Sequence, residues 1–267
     1  MCEFCIRHGE GKKWYEVMEN YSVEMLEQNG RRRYINHFIP GIQHSALTNI
    51  GRLAEAKRRF PAVYRFVRTV GNYRMKKIHY GQVVPLEDAE KIIDMCSSIT
   101  RVACVCRSVT AGSKNARYCL MLGIDPTDTQ IDYADLRDSL ETVSHAEAKE
   151  LLGKFDREGL VHSVWTFKTP FIGGLCNCDR DCLAYRLQIS SNLMDIMFKA
   201  EYVAVVNTED CVGCRNCLKL CQFGAIEYSL TNGKCSINPL KCYGCGVCRS
   251  ACKKEAITLM ERPDGGC

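Results

Sequence analysis

Apolar positions recur at helical spacing in three stretches of this chain. Leu47, Ile50, Leu53 and Ala54 form the first stripe, and Pro61 resets it before Val63, Phe66, Val67 and Val70. That pattern predicts helix over residues 45–69, with Gly71 as a stop. Residues 86–99 predict a second helix: Pro85 precedes it, acids crowd its first turn, and Leu86, Ala89, Ile92, Ile93 and Cys96 share a face. On that face Cys96 reads as a small core hydrophobe. Residues 144–159 carry the strongest signal. Ser144 and Glu147 form a capping-box pair, Leu151, Leu152 and Phe155 an apolar face, and Gly159 an end. A short helix is also predicted from Asn115 to Leu122, ended by Asp125-Pro126.

Two runs read as strands. Thr100 to Arg107 is β-rich, and Leu160 to Phe167 alternates apolar and polar positions. A loop marked by Pro170, Gly173 and Gly174 follows, and a helix is expected to start near Asp179. Residues 1–44 read as polar and irregular. The expected fold class is α+β, with a mixed helical domain and short strands preceding a separate C-terminal module. The expected division is 1–44, 45–199 and 200–267.

Cysteine usage changes the picture. The chain of 267 residues has 19 cysteines, against 9 Met and 2 Trp, so packing alone does not explain them. Cys211-x2-Cys214-x2-Cys217-x3-Cys221 is repeated as Cys242-x2-Cys245-x2-Cys248-x3-Cys252. Each iron of a cubane cluster needs one thiolate, and a tight loop with two-residue gaps wraps three of them around one cube. The fourth ligand comes from the other run. The spacing therefore predicts one [4Fe–4S] cluster on Cys211, Cys214, Cys217 and Cys252, and a second on Cys242, Cys245, Cys248 and Cys221. Zinc would not require the third step of each run, and a disulfide framework would need an oxidising compartment that nothing here suggests.

These runs resemble the bacterial dicluster ferredoxin over roughly residues 200–262. The resemblance implies a ferredoxin-like two-cluster module and low-potential electron transfer. In that family Pro usually follows the fourth Cys; here Gln222 and Lys253 stand there, which puts the local turn and the potential outside the family pattern.

Six more cysteines form two islands, Cys104/Cys106/Cys119 and Cys176/Cys178/Cys182. Each is Cys-x-Cys plus a more distant Cys, following a predicted strand. Buried structural thiols are one reading, but Arg107, Asn177, Asp179 and Arg180 flank them, which suits a joint metal site better. A third Fe–S cluster or a zinc ion is expected there. In a regular strand Cys104 and Cys106 would face opposite ways, so a strand end or turn at Cys106 is required. If a helix starts near Asp179, Cys178 sits at its mouth and Cys182 one turn in. Cys2, Cys5 and His8, with His37 or His44, could make a further metal site or a frayed tail.

Ala103-Cys-Val-Cys-Arg107, Gly159-Leu-Val-His162, Gly174-Leu-Cys-Asn-Cys178 and Lys241-Cys-Tyr-Gly-Cys-Gly-Val-Cys-Arg249 resemble a group of anaerobe iron–sulfur proteins. There a Cys-x-Cys-Arg module and a later Cys-rich island precede a dicluster domain. Some of these proteins carry an extra Cys shortly before the position of Cys119. Thr110-Ala-Gly-Ser-Lys-Asn-Ala-Arg117 has none, so the first island is not expected to hold a cluster unaided. The resemblance implies an architecture and no reaction.

The net charge is +5, with basic residues gathered before residue 80, among them Arg31–Arg33, Lys57–Arg59, Arg65, Arg68, Arg74, Lys76 and Lys77. Without a nucleic-acid motif, this reads as a dock for an acidic redox partner rather than a nucleic-acid footprint. There is no secretory h-region and no long apolar run, so a cytoplasmic protein of an anaerobe without a membrane span is expected. No phosphate loop, no Gly-x-Gly-x-x-Gly and no Cys-x3-Cys-x2-Cys is present. No catalytic residue is predicted; His79, His145 and His162 read as surface or structural, with His162 the one to test. The leading expectation is an electron relay. A reductase acting on a small substrate and a redox-sensing nucleic-acid-binding regulator are its rivals.

Overall fold

The computed structural model describes residues 13–125 and 139–262. Cys2, Cys5, His8 and Pro126 lie outside the described residues. The chain is mixed helix and strand, with a helical N-terminal region and a ferredoxin-like C-terminal domain.

Residues 13–44 are not irregular. Short helical turns precede α1 (Val23–Glu27), and a long α2 (Arg31–Arg59) runs through residue 44 and through Pro40. Trp14, Tyr15 and Tyr21 are buried in the main core. Tyr15 donates to Asp88 Oδ2 at 2.7 Å, and Trp14 Nε1 donates to Gln82 Oε1. Aromatic anchors on single turns leave no period to read, which is why the sequence pattern missed them. Next, α3 (Pro61–Ile78) starts at its proline, as the sequence predicts, but continues past Gly71. Its apolar stripe is helical yet faces outward: Val63, Phe66 and Val70 are all exposed.

A seven-stranded sheet follows from β1 (Gly81–Val83), β2 (Ile99–Val102), β3 (Cys119–Leu122), β4 (Glu141–Thr142), β5 (Val161–Thr166), β6 (Ile172–Cys178) and β7 (Met197–Phe198). The order is β4-β2-β3-β6-β5-β1-β7, antiparallel except for β1 with β7. Residues 119–122 are thus strand rather than helix. Leu and Met favour helix in isolation, but hydrogen bonding to β2 on one side and β6 on the other overrides that preference. Gly173 and Gly174 lie inside β6, not in a loop. A Cβ at Gly173 would meet the Phe171 and Phe167 rings at 2.8 and 2.9 Å, so glycine is required by close approach.

Two helices cover one face of the sheet, α4 (Leu86–Met95) and α6 (His145–Arg157). Ala89, Ile92, Ile93, Ala148 and Leu152 pack there on Leu120, Val164 and Leu175. Ser144 caps α6 through the expected capping box with Glu147. On the other face lie α2, α5 (Val105–Ala111) and α7 (Leu183–Tyr185). No helix among the described residues is long and apolar enough to cross a membrane.

The C-terminal module comprises β8 (Tyr202–Val206), α8 (Asn216–Leu220), β9 (Ile226–Ser229), β10 (Lys234–Ile237), α9 (Val247–Ser250) and β11 (Ile257–Glu261). Strands β8 and β11 pair with each other, as do β9 and β10. The module is fastened to the sheet domain by side chains. Arg249 makes a bidentate pair with Glu87 at 2.7 and 2.8 Å. Gln222 Nε2 donates to the Gly159 carbonyl at 3.0 Å, and Tyr185 donates to the Gln222 carbonyl at 2.5 Å. The residue standing where the ferredoxin pattern has proline thus serves this junction.

Candidate metal centres

Period-two alternation decides where the first thiols go. Leu120, Leu175 and Val164 point to the helix-covered face. Cys119, Cys176 and Cys178 therefore share the opposite face, and Cys119 and Cys176 are direct cross-strand partners. Strand β2 ends at Val102, and Cys104 stands at the N-cap of α5 with extended backbone, which turns Cys104 and Cys106 toward the same site. Cys182 likewise precedes α7, so the helix expected at Asp179 begins later, at Leu183. A turn at Asp179, where Asp181 N–H donates to the Asp179 carboxylate at 2.9 Å, fills the gap.

All six thiols of the two islands are brought together. Cys104 and Cys119 Sγ atoms are 3.3 Å apart, Cys119 contacts Cys176, and Cys178 contacts both Cys176 and Cys182. Cys106 faces Cys178 and Cys104. The thiols form a string of pairs, and among the described residues no three His, Cys, Asp or Glu side chains converge as on one ion. A cubane asks instead for one thiolate on each of four irons.

Hydrogen-bond donors surround the sulfurs. Tyr118 N–H and Arg107 Nη1 reach Cys104 Sγ at 3.1 and 3.5 Å, and Asp179 N–H reaches Cys182 Sγ at 3.4 Å. Arg107 is buried, bonds Asp179 at 2.8 Å and the Asn177 carbonyl at 3.0 Å, and lies over the Tyr118 ring. Such donors and a fixed cation stabilise thiolate charge. Bonds from Cys176 and Cys182 hold the Cys178 thiol well below its ordinary pKa, while burial pushes Cys106 up to about 12. Cys96 is apart from this group, in the main core with its thiol on the Ile92 carbonyl.

Asn177 alternates to the other face. Its Nδ2 donates to the Tyr118 carbonyl at 2.6 Å, so its Oδ1 accepts from His162 Nδ1 at 2.6 Å. His162 is fully buried, and its Nε2 is 3.7 Å from Asp156, whose other oxygen accepts from Ser250. Burial alone would raise the Asp156 pKa; His162, Ser250 and Arg249 outweigh it and hold the carboxyl below its ordinary value. His162 is therefore structural in position, joining β5 to the C-terminal module.

In that module Cys211, Cys214, Cys217 and Cys252 line one cavity of about 190 Å³. Gly213, at φ 66°, shapes the first loop, and a Cβ there would collide with the Gly233 carbonyl. Gly244, at φ 72°, occupies the same place in the second run. Cys245 and Cys248 have Cys242 and Cys221 among their neighbours, and burial pushes Cys248 up to about 12. Backbone N–H groups of Ala225, Ala204 and Gly244 point at Cys221 and Cys242 at 3.3–3.5 Å. Soft thiolates around a cavity, with amides aimed at sulfur, fit an iron–sulfur cluster.

Sequence reasoning passed over Cys235. It is buried on β10, lines the same cavity, and neighbours Cys211 and Cys217. No motif spacing marks it. The signal available was its place between the two runs, on a strand that returns the chain to the first.

The basic N-terminal residues do not form one free surface. Arg31 bonds the Lys168 and Met25 carbonyls, Lys57 the Ser191 carbonyl, and Arg68 pairs with Asp195. Arg58 and Arg59 both pair with Glu55.

Residues 204–253 match the family model of the 4Fe-4S dicluster domain, so the C-terminal module is an iron–sulfur electron-transfer domain. Among curated proteins, the chain is 39% identical over 56 residues to pyruvate synthase subunit PorD of Methanocaldococcus jannaschii, covering 21% of this chain and 64% of that protein. It is 32% identical over 61 residues to archaeal-type glutamate synthase [NADPH] of Thermotoga maritima, covering 23% of this chain and 12% of that protein. The chain thus spans less than two thirds of either relative.

Proposed function

We propose that this chain relays low-potential electrons between redox proteins through two [4Fe–4S] clusters and a further centre on the sheet domain. Cys211, Cys214, Cys217 and Cys252 would hold one cluster, and Cys242, Cys245, Cys248 and Cys221 the other. Cys104, Cys106, Cys119, Cys176, Cys178 and Cys182 would supply the ligands of the third centre, an iron–sulfur cluster or zinc. The observation that carries this reading is the junction. Cys176 of the sheet-domain thiols and Cys245 of the dicluster runs both pack against one apolar cluster that includes Val161, Val247 and Leu220, so a water-poor junction joins the two parts of the chain that carry the thiols. Bound clusters supply one-electron transfer; the chain's own contribution is to hold the sulfurs, exclude water and aim N–H groups at them. The relatives' names support oxidoreductase partners for such a domain.

A second reading is favoured by one feature. The sheet-domain thiols border a large apolar cavity, as a reductase acting on a small substrate would require.

Iron, sulfide and zinc analysis of anaerobically purified protein, with EPR of the reduced state, tests the proposal. About twelve irons support a third cluster, and about eight with one zinc a structural third centre. In Cys176→Ala/Cys178→Ala the excess over eight should vanish while the dicluster signals persist. Fewer than about eight irons in intact wild-type protein would overturn the assignment.

A further inference from the structure

The cavity on the thiol face extends well beyond the cysteines. It measures about 500 Å³, within the range of sites that enclose small organic molecules. Its long wall is α2 from Phe38 to Leu53, about 22 Å of helix at 1.5 Å per residue. At one end Phe38 packs against His79 and Phe167, with ring centroids at 4.3 and 5.6 Å. Toward the other end, Lys57 ties α2 to the Ser191 and Asn192 carbonyls, beside the segment that brings Met194 and Ile196 to the cavity.

The lining contains no Asp, Glu, Lys or Arg among the described residues. An anion entering it would lose hydration and gain no counter-charge. Besides the thiols, the lining's polar side chains are Ser45, Asn49 and His79, the first two at the exposed rim. Ser45 spends its hydroxyl hydrogen on the Gly41 carbonyl of its own helix at 2.7 Å. His79 is different. Its Nδ1 faces the Thr166 carbonyl at 2.6 Å, and a carbonyl only accepts, so the proton sits on Nδ1 and Nε2 keeps its lone pair. The imidazole stacks on Trp165 at 5.1 Å, and burial lowers its pKa to about 4, which keeps it neutral. It is an acceptor fixed in an apolar wall.

We propose that this cavity binds an uncharged hydrophobic molecule carrying one hydrogen-bond donor, with its body between α2 and the sheet and its donor on His79 Nε2. The site stands on this geometry whatever the thiols hold; only its bearing on electron transfer rests on the proposed function. Cys106, Cys119, Cys176, Cys178 and Cys182 border the same space, so an occupant would lie against the third centre.

The test is calorimetric titration of anaerobically purified holoprotein with 1-naphthol, and with naphthalene-1-sulfonate as its charged counterpart. We expect saturable naphthol binding at one site per chain, with the sulfonate weaker by at least about tenfold. Ala46→Trp, which fills the cavity from α2, should weaken naphthol by at least about tenfold with iron and sulfide unchanged. Ile50→Trp repeats the measurement should the first variant lose iron. His79→Phe keeps the ring and removes the acceptor, and should weaken naphthol by about fivefold while leaving naphthalene binding unchanged. Absence of saturable naphthol binding, equal affinity for the sulfonate, or an affinity indifferent to both α2 variants would overturn the site. The metal reading fails on a different readout, the iron and zinc count, so the two outcomes are separable.

Discussion

Replacing Arg107 by Met keeps most of the stem and deletes the charge beside the sheet-domain thiols. Wild-type Arg107 is 5% exposed, and it holds Asp179 at 2.8 Å, the Asn177 carbonyl at 3.0 Å and Cys104 Sγ at 3.5 Å. Removing one partner of a buried pair costs about 3–5 kcal/mol. Asp179 retains 27% of its side-chain exposure, so the lower end, about 3 kcal/mol, applies. For 267 residues, an unfolding entropy of about 2.1 cal/mol/K per residue gives roughly 0.56 kcal/mol/K, so Tm should fall by about 5 °C. Scanning calorimetry under anaerobic conditions at one fixed scan rate reads this. Arg107→Lys keeps the charge but loses the fork, and should fall by about half as much. A purely structural role would leave metal content alone; on the proposed reading the Met variant loses metal from the third centre and not from the dicluster. A Met variant within about 1 °C of wild type, or a Lys variant as damaged as Met, would refute the charge argument.

Four other outcomes are expected. Gly213→Ala forces a Cβ toward the Gly233 carbonyl at φ 66°, so it should cost at least about 1–3 kcal/mol and release about four irons. Gly51→Ala on α2, with nothing within 4 Å, should raise Tm slightly, and equal behaviour of the two in iron analysis and calorimetry would contradict the steric account. His79, neutral when folded with a pKa of about 4 against about 6.5 unfolded, makes the unfolded state bind more protons between those values. Stability is then full above about pH 6.5 and lost as pH falls toward 4, by about 2 kcal/mol at pH 4.5; His79→Phe should lose that much less between pH 7 and 4.5, and parallel Tm–pH profiles would sink the idea. Cys235→Ser should retain wild-type iron, because Cys211, Cys214, Cys217 and Cys252 line the cavity without it, while shifting one midpoint potential in an EPR-monitored redox titration; loss of about four irons would instead make Cys235 a ligand.

The sequence was most legible where a local rule repeats. The two four-cysteine runs declare their module because x2-x2-x3 spacing is a property of one loop, and Ser144 with Glu147 declares a helix start for the same reason. Legibility failed where distant residues decide. Cys119 sits in a segment of good helix formers, and only its neighbours on β2 and β6 make it a strand. Val63, Phe66 and Val70 have the right period, but whether a stripe is covered depends on other elements, and here it is not. The cavity was invisible because its walls come from α2, β3, β6 and the 183–196 segment, which no window of sequence contains. The two cysteine islands lay between these extremes: their members were named, but the shared face depends on strand pairing.

The C-terminal module repeats its loop twice, and the repeat is docked by one half. Tyr243, Cys245 and Val247 are packed into the junction with the sheet domain. Of their counterparts Val212, Cys214 and Asn216, Val212 is 61% exposed and Cys214 is exposed. A near-symmetric pair thereby acquires an inside and an outside. Among the described residues the Val212–Cys214 loop is the more exposed of the two, while the other loop is turned toward the sheet domain. Docking alone, without any difference in cysteine spacing, gives the repeat a direction.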